Sequence, residues 1–180
     1  MFAKLSMERH EMIFVRKEIN LSRLSEVAES LSKIIVGGDV IILKGDIGAG
    51  KTTLVALAAK HLGVLEGVTS PTFAIVNTYK IPLNKNSLQK LIHVDTYRLD
   101  NANEIYDLGL ETLFDEGAVT FIEWGERIRD YIDENHFVVE IDEIRPESRD
   151  FKFEVVGTLD PDRQEEIINV LVEQGWKKND

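Results

Sequence analysis

The chain has 180 residues, 43 % hydrophobic and 29 % charged, with a net charge of −11. That length and balance describe a globular chain, expected to form a single domain over residues 1–180 with a core of its own. The absence of cysteine excludes disulfides, iron–sulfur clusters and thiolate zinc sites, and the acid excess argues against a basic face that grips DNA or RNA directly.

Residues Met1 to Glu11 lack the apolar core of a secretion signal, and Met1 and Met7 are both candidate starts. No run approaches the roughly 18 apolar residues of a membrane span. A cytoplasmic, membrane-free location is the expectation.

Met12 to Ile19 alternates loosely and predicts a first strand. Asn20 suits an N-cap, and Leu21, Leu24, Val27, Ala28, Leu31, Ile34 and Ile35 then fall on one helical face that Gly37 and Gly38 end. Val40 to Lys44 is continuously apolar up to its last residue, the mark of a central parallel strand.

The chain then reads Gly45-Asp46-Ile47-Gly48-Ala49-Gly50-Lys51-Thr52, a complete P-loop. A strand, a glycine-rich turn and a helix start together aim backbone N–H groups at a phosphate. Lys51 is placed to reach the β- and γ-phosphates, and the Thr52 hydroxyl to ligate Mg²⁺. Thr52 to Leu62 is a strong helix former, stopped by Gly63.

Val68-Thr69-Ser70-Pro71-Thr72-Phe73 reads either as a plain loop or as a segment that senses a γ-phosphate. Phe73 to Ile81 and Leu91 to Tyr97 are predicted strands, and the polar stretch between them makes an antiparallel hairpin. Asn101 and Asn103 lead into a helical segment, Glu104 to Leu113, broken at Gly109. Ala118 to Ile122 is a short buried strand and Glu126 to Tyr131 a short helix. Phe137 to Ile144 and Phe151 to Val156 alternate as a strand pair, and Pro161 and Gly175 bracket a C-terminal helix. The expected fold is α/β, a P-loop NTPase-like three-layer sandwich with a mixed, partly parallel central sheet and an antiparallel hairpin.

Hydrolysis needs more than a P-loop: a carboxylate for Mg²⁺ and a group that positions the attacking water. Leu91-Ile92-His93-Val94 leads to Asp95, and Val119-Thr120-Phe121-Ile122 leads to Glu123. Apolar strands ending in an acid are where a parallel sheet presents its ligands, although such an acid can equally cap a helix or line a turn.

These pieces, in this order, resemble the bacterial TsaE (YjeE) family, the ATPase of the tRNA threonylcarbamoyladenosine pathway. The resemblance rests on Gly45-Asp46-Ile47-Gly48-Ala49-Gly50-Lys51-Thr52-Thr53, Ser70-Pro71-Thr72-Phe73, His93-Val94-Asp95-Thr96-Tyr97-Arg98 and Glu123-Trp124, and spans roughly residues 12–145. It implies that Ile47, Gly48, Ala49, Gly50, Lys51 and Thr52, with Thr53 of the same motif, bind ATP. It also implies that Thr52 and Glu123 are the Mg²⁺ partners and that Asp95 orients water or the metal's shell. Lys51, Asp95 and Glu123 are thus the catalytic candidates. Trp124 is either a site residue or a core tryptophan, His93 a structural residue at a strand end, and Tyr97 and Arg98 hairpin anchors or a partner face. Ser148 and Arg149 are candidates for closing over the nucleotide.

The implied partners are the proteins TsaB and TsaD, with tRNA reached only through them. One departure stands out: the family often has proline after Glu-Trp, where this chain has Gly125, which predicts a more mobile loop. Two other readings remain open, a small-molecule P-loop kinase and a nucleotide-dependent binding module without turnover. Asn84-Lys85-Asn86-Ser87 does not meet the guanine-binding signature, which favours ATP over GTP.

Overall fold

The computed structural model describes residues 12–82, 88–99, 114–132 and 134–179. Among these residues eight strands form one sheet: β1 Met12–Asn20, β2 Val40–Lys44, β3 Val76–Lys80, β4 Lys90–Asp95, β5 Ala118–Glu123, β6 His136–Arg145, β7 Ser148–Val156 and β8 Lys177–Asn179. Their spatial order is β3-β4-β5-β2-β6-β7-β1-β8. The centre is parallel, β4 with β5, β5 with β2 and β2 with β6; the flanks are antiparallel. This is the mixed α/β sheet of a P-loop NTPase-like fold.

Side-chain alternation along the central strands splits the core in two. Ile41 and Leu43 of β2, Val119 and Phe121 of β5 and Leu91 of β4 pack on one face, while Val40, Ile42, Ile122, Ile92 and Val94 pack on the other. The first face is covered by α1 (Leu24–Ile34), α2 (Lys51–His61) and α3 (Pro161–Glu173), through residues such as Leu31, Leu54 and Ile167. The second is covered, among the described residues, by a 3₁₀ segment, Gly125–Tyr131, which contributes Ile128.

Local chemistry sets the element ends. Asn20 accepts a hydrogen bond from the Arg23 N–H at 3.1 Å and caps a 3₁₀ turn, Leu21–Arg23, before α1 begins. Leu21, expected on the buried face, is 55 % exposed because that tighter turn rotates it away from the stripe made by Leu24, Val27 and Leu31. Helix α1 ends at Ile34, whose successor is already extended, ahead of the two glycines. Asp160 caps α3 at the Arg163 N–H, with Pro161 at the first helical position.

Two predicted strands are shorter than expected. Strand β3 starts at Val76 rather than Phe73, because Ile75 takes a positive φ of 67° and breaks the extended run. Strand β4 ends at Asp95, two residues early, where the Asp95 carboxylate accepts from the Tyr97 N–H and turns the chain. The helical segment Glu104 to Leu113 and the hairpin residues 83–87 lie outside the described residues. Strand β8 was not anticipated; it adds three residues beside β1. No described helix is long and apolar enough to cross a membrane.

Candidate nucleotide site

The P-loop connects the C-terminal end of β2 to the N-terminus of α2. Gly50 precedes the helix in a left-handed conformation (φ 110°), and Ala49 N–H closes the turn onto the Asp46 carbonyl at 3.1 Å. A side chain on Gly45 would put its Cβ 2.6 Å from the Ile141 carbonyl oxygen, so only glycine lets the loop lie this close to β6. Open space lies where Cβ atoms would stand on Gly48 and Gly50.

Lys51 opens α2 and is buried. Its ammonium donates to the carbonyls of Gly45 at 2.6 Å and Asp46 at 2.9 Å and sits 4.3 Å from the centre of the Trp124 ring. Burial pushes this amine below the ordinary lysine range, against the opposing pull of Glu123, Asp95, Glu126 and Asp46.

The two strand-end acids meet here because their strands are paired in register, Asp95 beside Glu123. Alternation places His93, Asp95, Phe121 and Glu123 on one face of the sheet, the face that α2 covers. The Thr52 hydroxyl donates to Glu123 Oε1 at 2.6 Å, and His93 Nε2 lies 2.9 Å from the same oxygen. His93 is fully buried, so its position at Glu123 is fixed by packing from every side. It packs as a buried structural residue in contact with the acid. Thr96, also fully buried, donates towards the backbone carbonyls of Glu123 (3.1 Å) and Trp124 (2.7 Å) and anchors the strand end.

Asp95 is held differently. Its Oδ1 accepts from the Tyr97 N–H at 2.9 Å and its Oδ2 from the Thr72 hydroxyl at 2.6 Å. Thr72 lies in the Ser70-Pro71-Thr72-Phe73 segment, and Ser70 Oγ contacts the Thr72 hydroxyl at 2.5 Å. The turn is closed by Ile75, whose N–H donates to the Pro71 carbonyl at 2.5 Å and whose own carbonyl accepts from the Asp95 N–H at 2.9 Å. Ile75 and Trp124 both carry positive φ values, 67° and 61°. Each costs of order 1–3 kcal/mol, and each adjoins one of the acids.

Trp124 is half-buried, against Lys51 and the Tyr97 ring at 5.3 Å. Arg98 covers the exposed Phe73 ring at 4.2 Å, and Arg127 faces Tyr97 at 5.7 Å. Gly125 is buried, and a Cβ there would stand 2.9 Å from Ile42 Cγ2. Its small size serves close packing against the sheet, where the sequence suggested loop freedom. Arg149 is buried and bonds to backbone carbonyls, including Ala49 of the P-loop at 3.1 Å; Ser148 contributes its carbonyl to the same guanidinium. Ile47 is 75 % exposed in the loop, and Thr53, the third residue of α2, is exposed.

The donor set suits a hard cation. Among the described residues no cluster of three or more His, Asp or Glu groups is arranged to hold a metal alone. At the start of α2, Thr52 and Glu123 offer one hydroxyl and one carboxylate, the sparse oxygen set typical of Mg²⁺ shared with phosphates and water. Because Thr52 gives its proton to Glu123, its lone pairs remain for such an ion.

A family model described as threonylcarbamoyl adenosine biosynthesis protein TsaE matches residues 19–151. The tRNA threonylcarbamoyladenosine biosynthesis protein TsaE of Bacillus subtilis is 31 % identical over 141 residues, 78 % of this chain and 85 % of that protein. Its counterpart in Streptomyces coelicolor is 35 % identical over 120 residues, 66 % of this chain and 78 % of that one. Among solved structures, Bacillus subtilis YdiB superposes with a TM-score of 0.69 at 27 % identity, covering 89 % of this chain and 95 % of that one. With a match over residues 19–151 and the P-loop facing two strand-end acids, the chain belongs to the TsaE family.

Proposed function

We propose that this chain is a Mg²⁺-dependent ATPase of tRNA threonylcarbamoyladenosine biosynthesis that acts on a complex of TsaB and TsaD. The observation that carries the reading is the 2.6 Å bond between Thr52 and Glu123, which joins the P-loop to the end of β5. The names of the relatives supply the pathway; the paired acids supply the chemistry.

In this reading the P-loop backbone and Lys51 bind the ATP phosphates, and Lys51 leaves the carbonyls of Gly45 and Asp46 to do so. Thr52 and Glu123 are the residues that would hold Mg²⁺, which when bound neutralises charge on the β- and γ-phosphates. Glu123 is kept in place by His93. Asp95, one strand away, orients the attacking water and holds the Thr72 loop beside the transferred phosphate. TsaB and TsaD complete the geometry, so the isolated chain turns over slowly.

The test is ATP hydrolysis by the purified chain, alone and with TsaB and TsaD. Stimulation by the pair is expected. Asp95→Ala and Glu123→Ala should each lower turnover about a hundredfold with ATP still bound, whereas Lys51→Ala should also lose affinity. Wild-type turnover in Asp95→Ala would remove that residue from the mechanism. ATP binding without hydrolysis under any condition would leave a binding module in place of an enzyme.

A further inference from the structure

We infer that Arg149 is a positioning residue for the P-loop, holding the phosphate cradle in its binding conformation from the far side of β2. The inference rests on the nucleotide-binding reading above.

Arg149 is the second residue of β7, paired across the β6–β7 hairpin with Glu143. Its guanidinium is buried, which is costly unless the donors find acceptors. NH1 donates to the carbonyls of Arg145 at 2.9 Å, Pro146 at 3.2 Å and Ser148 at 3.2 Å. NH2 lies 3.1 Å from the Glu143 carboxylate. The hairpin's own backbone therefore fixes the plane of the guanidinium. The Nε N–H reaches beyond the hairpin and donates to the Ala49 carbonyl at 3.1 Å, one hundred residues away in sequence.

Ala49 is where such a bond acts most strongly. It stands between Gly48 and Gly50, both at positive φ, in the part of the loop with most rotational freedom. Fixing the carbonyl of Ala49 fixes the peptide plane that carries the Gly50 N–H, one of the groups directed at a phosphate. The loop's other end lies close to the same hairpin, where a Cβ on Gly45 would stand 2.6 Å from the Ile141 carbonyl oxygen. The P-loop is thus bonded to the β6–β7 hairpin at Ala49 and lies against it at Gly45, while its acids come from β4 and β5 on the other side. A clamp of this kind removes loop freedom before the ligand arrives and so raises affinity.

The test uses the full-length chain, with hydrogen exchange of ligand-free protein and ADP affinity by titration calorimetry. Arg149→Ala should speed exchange over residues 45–52, leave β4 and β5 as protected as in wild type, and weaken ADP binding at least tenfold. Arg149→Lys keeps the charge beside Glu143 but lacks the planar fork, and should behave the same way. This variant decides the matter if Arg149→Ala melts throughout. Glu143→Gln, which leaves the Ala49 bond intact, should bind ADP within about twofold of wild type. Unchanged P-loop exchange, or faster exchange at unchanged affinity, would overturn the assignment. Wild-type protein that binds no ADP would overturn the nucleotide reading itself, and this role with it.

Discussion

Thr72 donates its hydroxyl proton to Asp95 at 2.6 Å, across 23 positions of sequence and from a different backbone turn. That bond ties an exposed loop to the end of a buried strand. Thr72→Val keeps the shape and removes the donor, leaving Asp95 with the Tyr97 N–H. If the loop senses the γ-phosphate through this bond, the variant should bind ATP and ADP with nearly equal affinity and hydrolyse ATP at least tenfold more slowly. Competition between the two nucleotides measures the first effect. A variant that keeps the wild-type ATP-to-ADP preference would show the loop to be structural only.

Asp39 gives a pH test away from the site. It lies between α1 and β2, accepts from the Val36 N–H at 2.8 Å and pairs with Arg163 of α3 at 3.1 Å; Arg163 also donates to the Ile34 carbonyl. Burial raises its carboxyl from the ordinary 3.8 to about 6, although the Val36 bond and Arg163 pull the other way. The folded state therefore binds this proton more tightly than the unfolded chain does. The resulting stabilisation is full below about pH 4 and is lost as pH rises through about 6. Urea unfolding at stepped pH should show wild type losing stability relative to Asp39→Asn between these values, by up to about 3 kcal/mol. A difference that stays flat across the window would refute the assignment.

Gly125→Ala tests the packing of the turn after Glu123. The added Cβ would meet Ile42 Cγ2 at 2.9 Å, Ile42 Cγ1 at 3.2 Å and Ile122 Cγ2 at 3.3 Å, and both isoleucines are core residues. Overpacking of this kind costs about 1–3 kcal/mol. The turn also sets the end of β5, so turnover should fall along with the melting temperature. Unchanged thermal unfolding would mean that the segment has more room than the structure shows.

The parts of this molecule that were legible in the sequence are those written in short windows. The P-loop is contiguous, and Asp95 and Glu123 each end a run of apolar residues, so one residue of period and one acid marked them. The pairing of β4 with β5 that sets the two acids side by side needs only parallel strands of similar length. What was not legible is contact across long separations. Nothing near Arg149 signals that its Nε meets Ala49, and nothing near His93 signals that Glu123 lies against it, except that positions 93 and 95 share a face. Strand β3 begins late because a β-branched residue, Ile75, sits at positive φ, which propensity alone would never assign. Strand β8 is three residues long, too short to leave a period.

The order of the sheet leaves two outer strands, β3 and β8, each with one side facing no other described strand. Open sheet edges invite strands from other molecules, and folded proteins discourage this with short strands and lysine side chains. Strand β8 does both: it is three residues long, exposed throughout, and two of the three are Lys177 and Lys178. Strand β3 has exposed Thr78 and Lys80 along its length. In an otherwise acidic chain, these lysines lie where a copy of the same molecule would have to pair. Borders of this kind discourage edge-to-edge pairing, and the apolar runs of β2, β4 and β5 each have a strand on both sides.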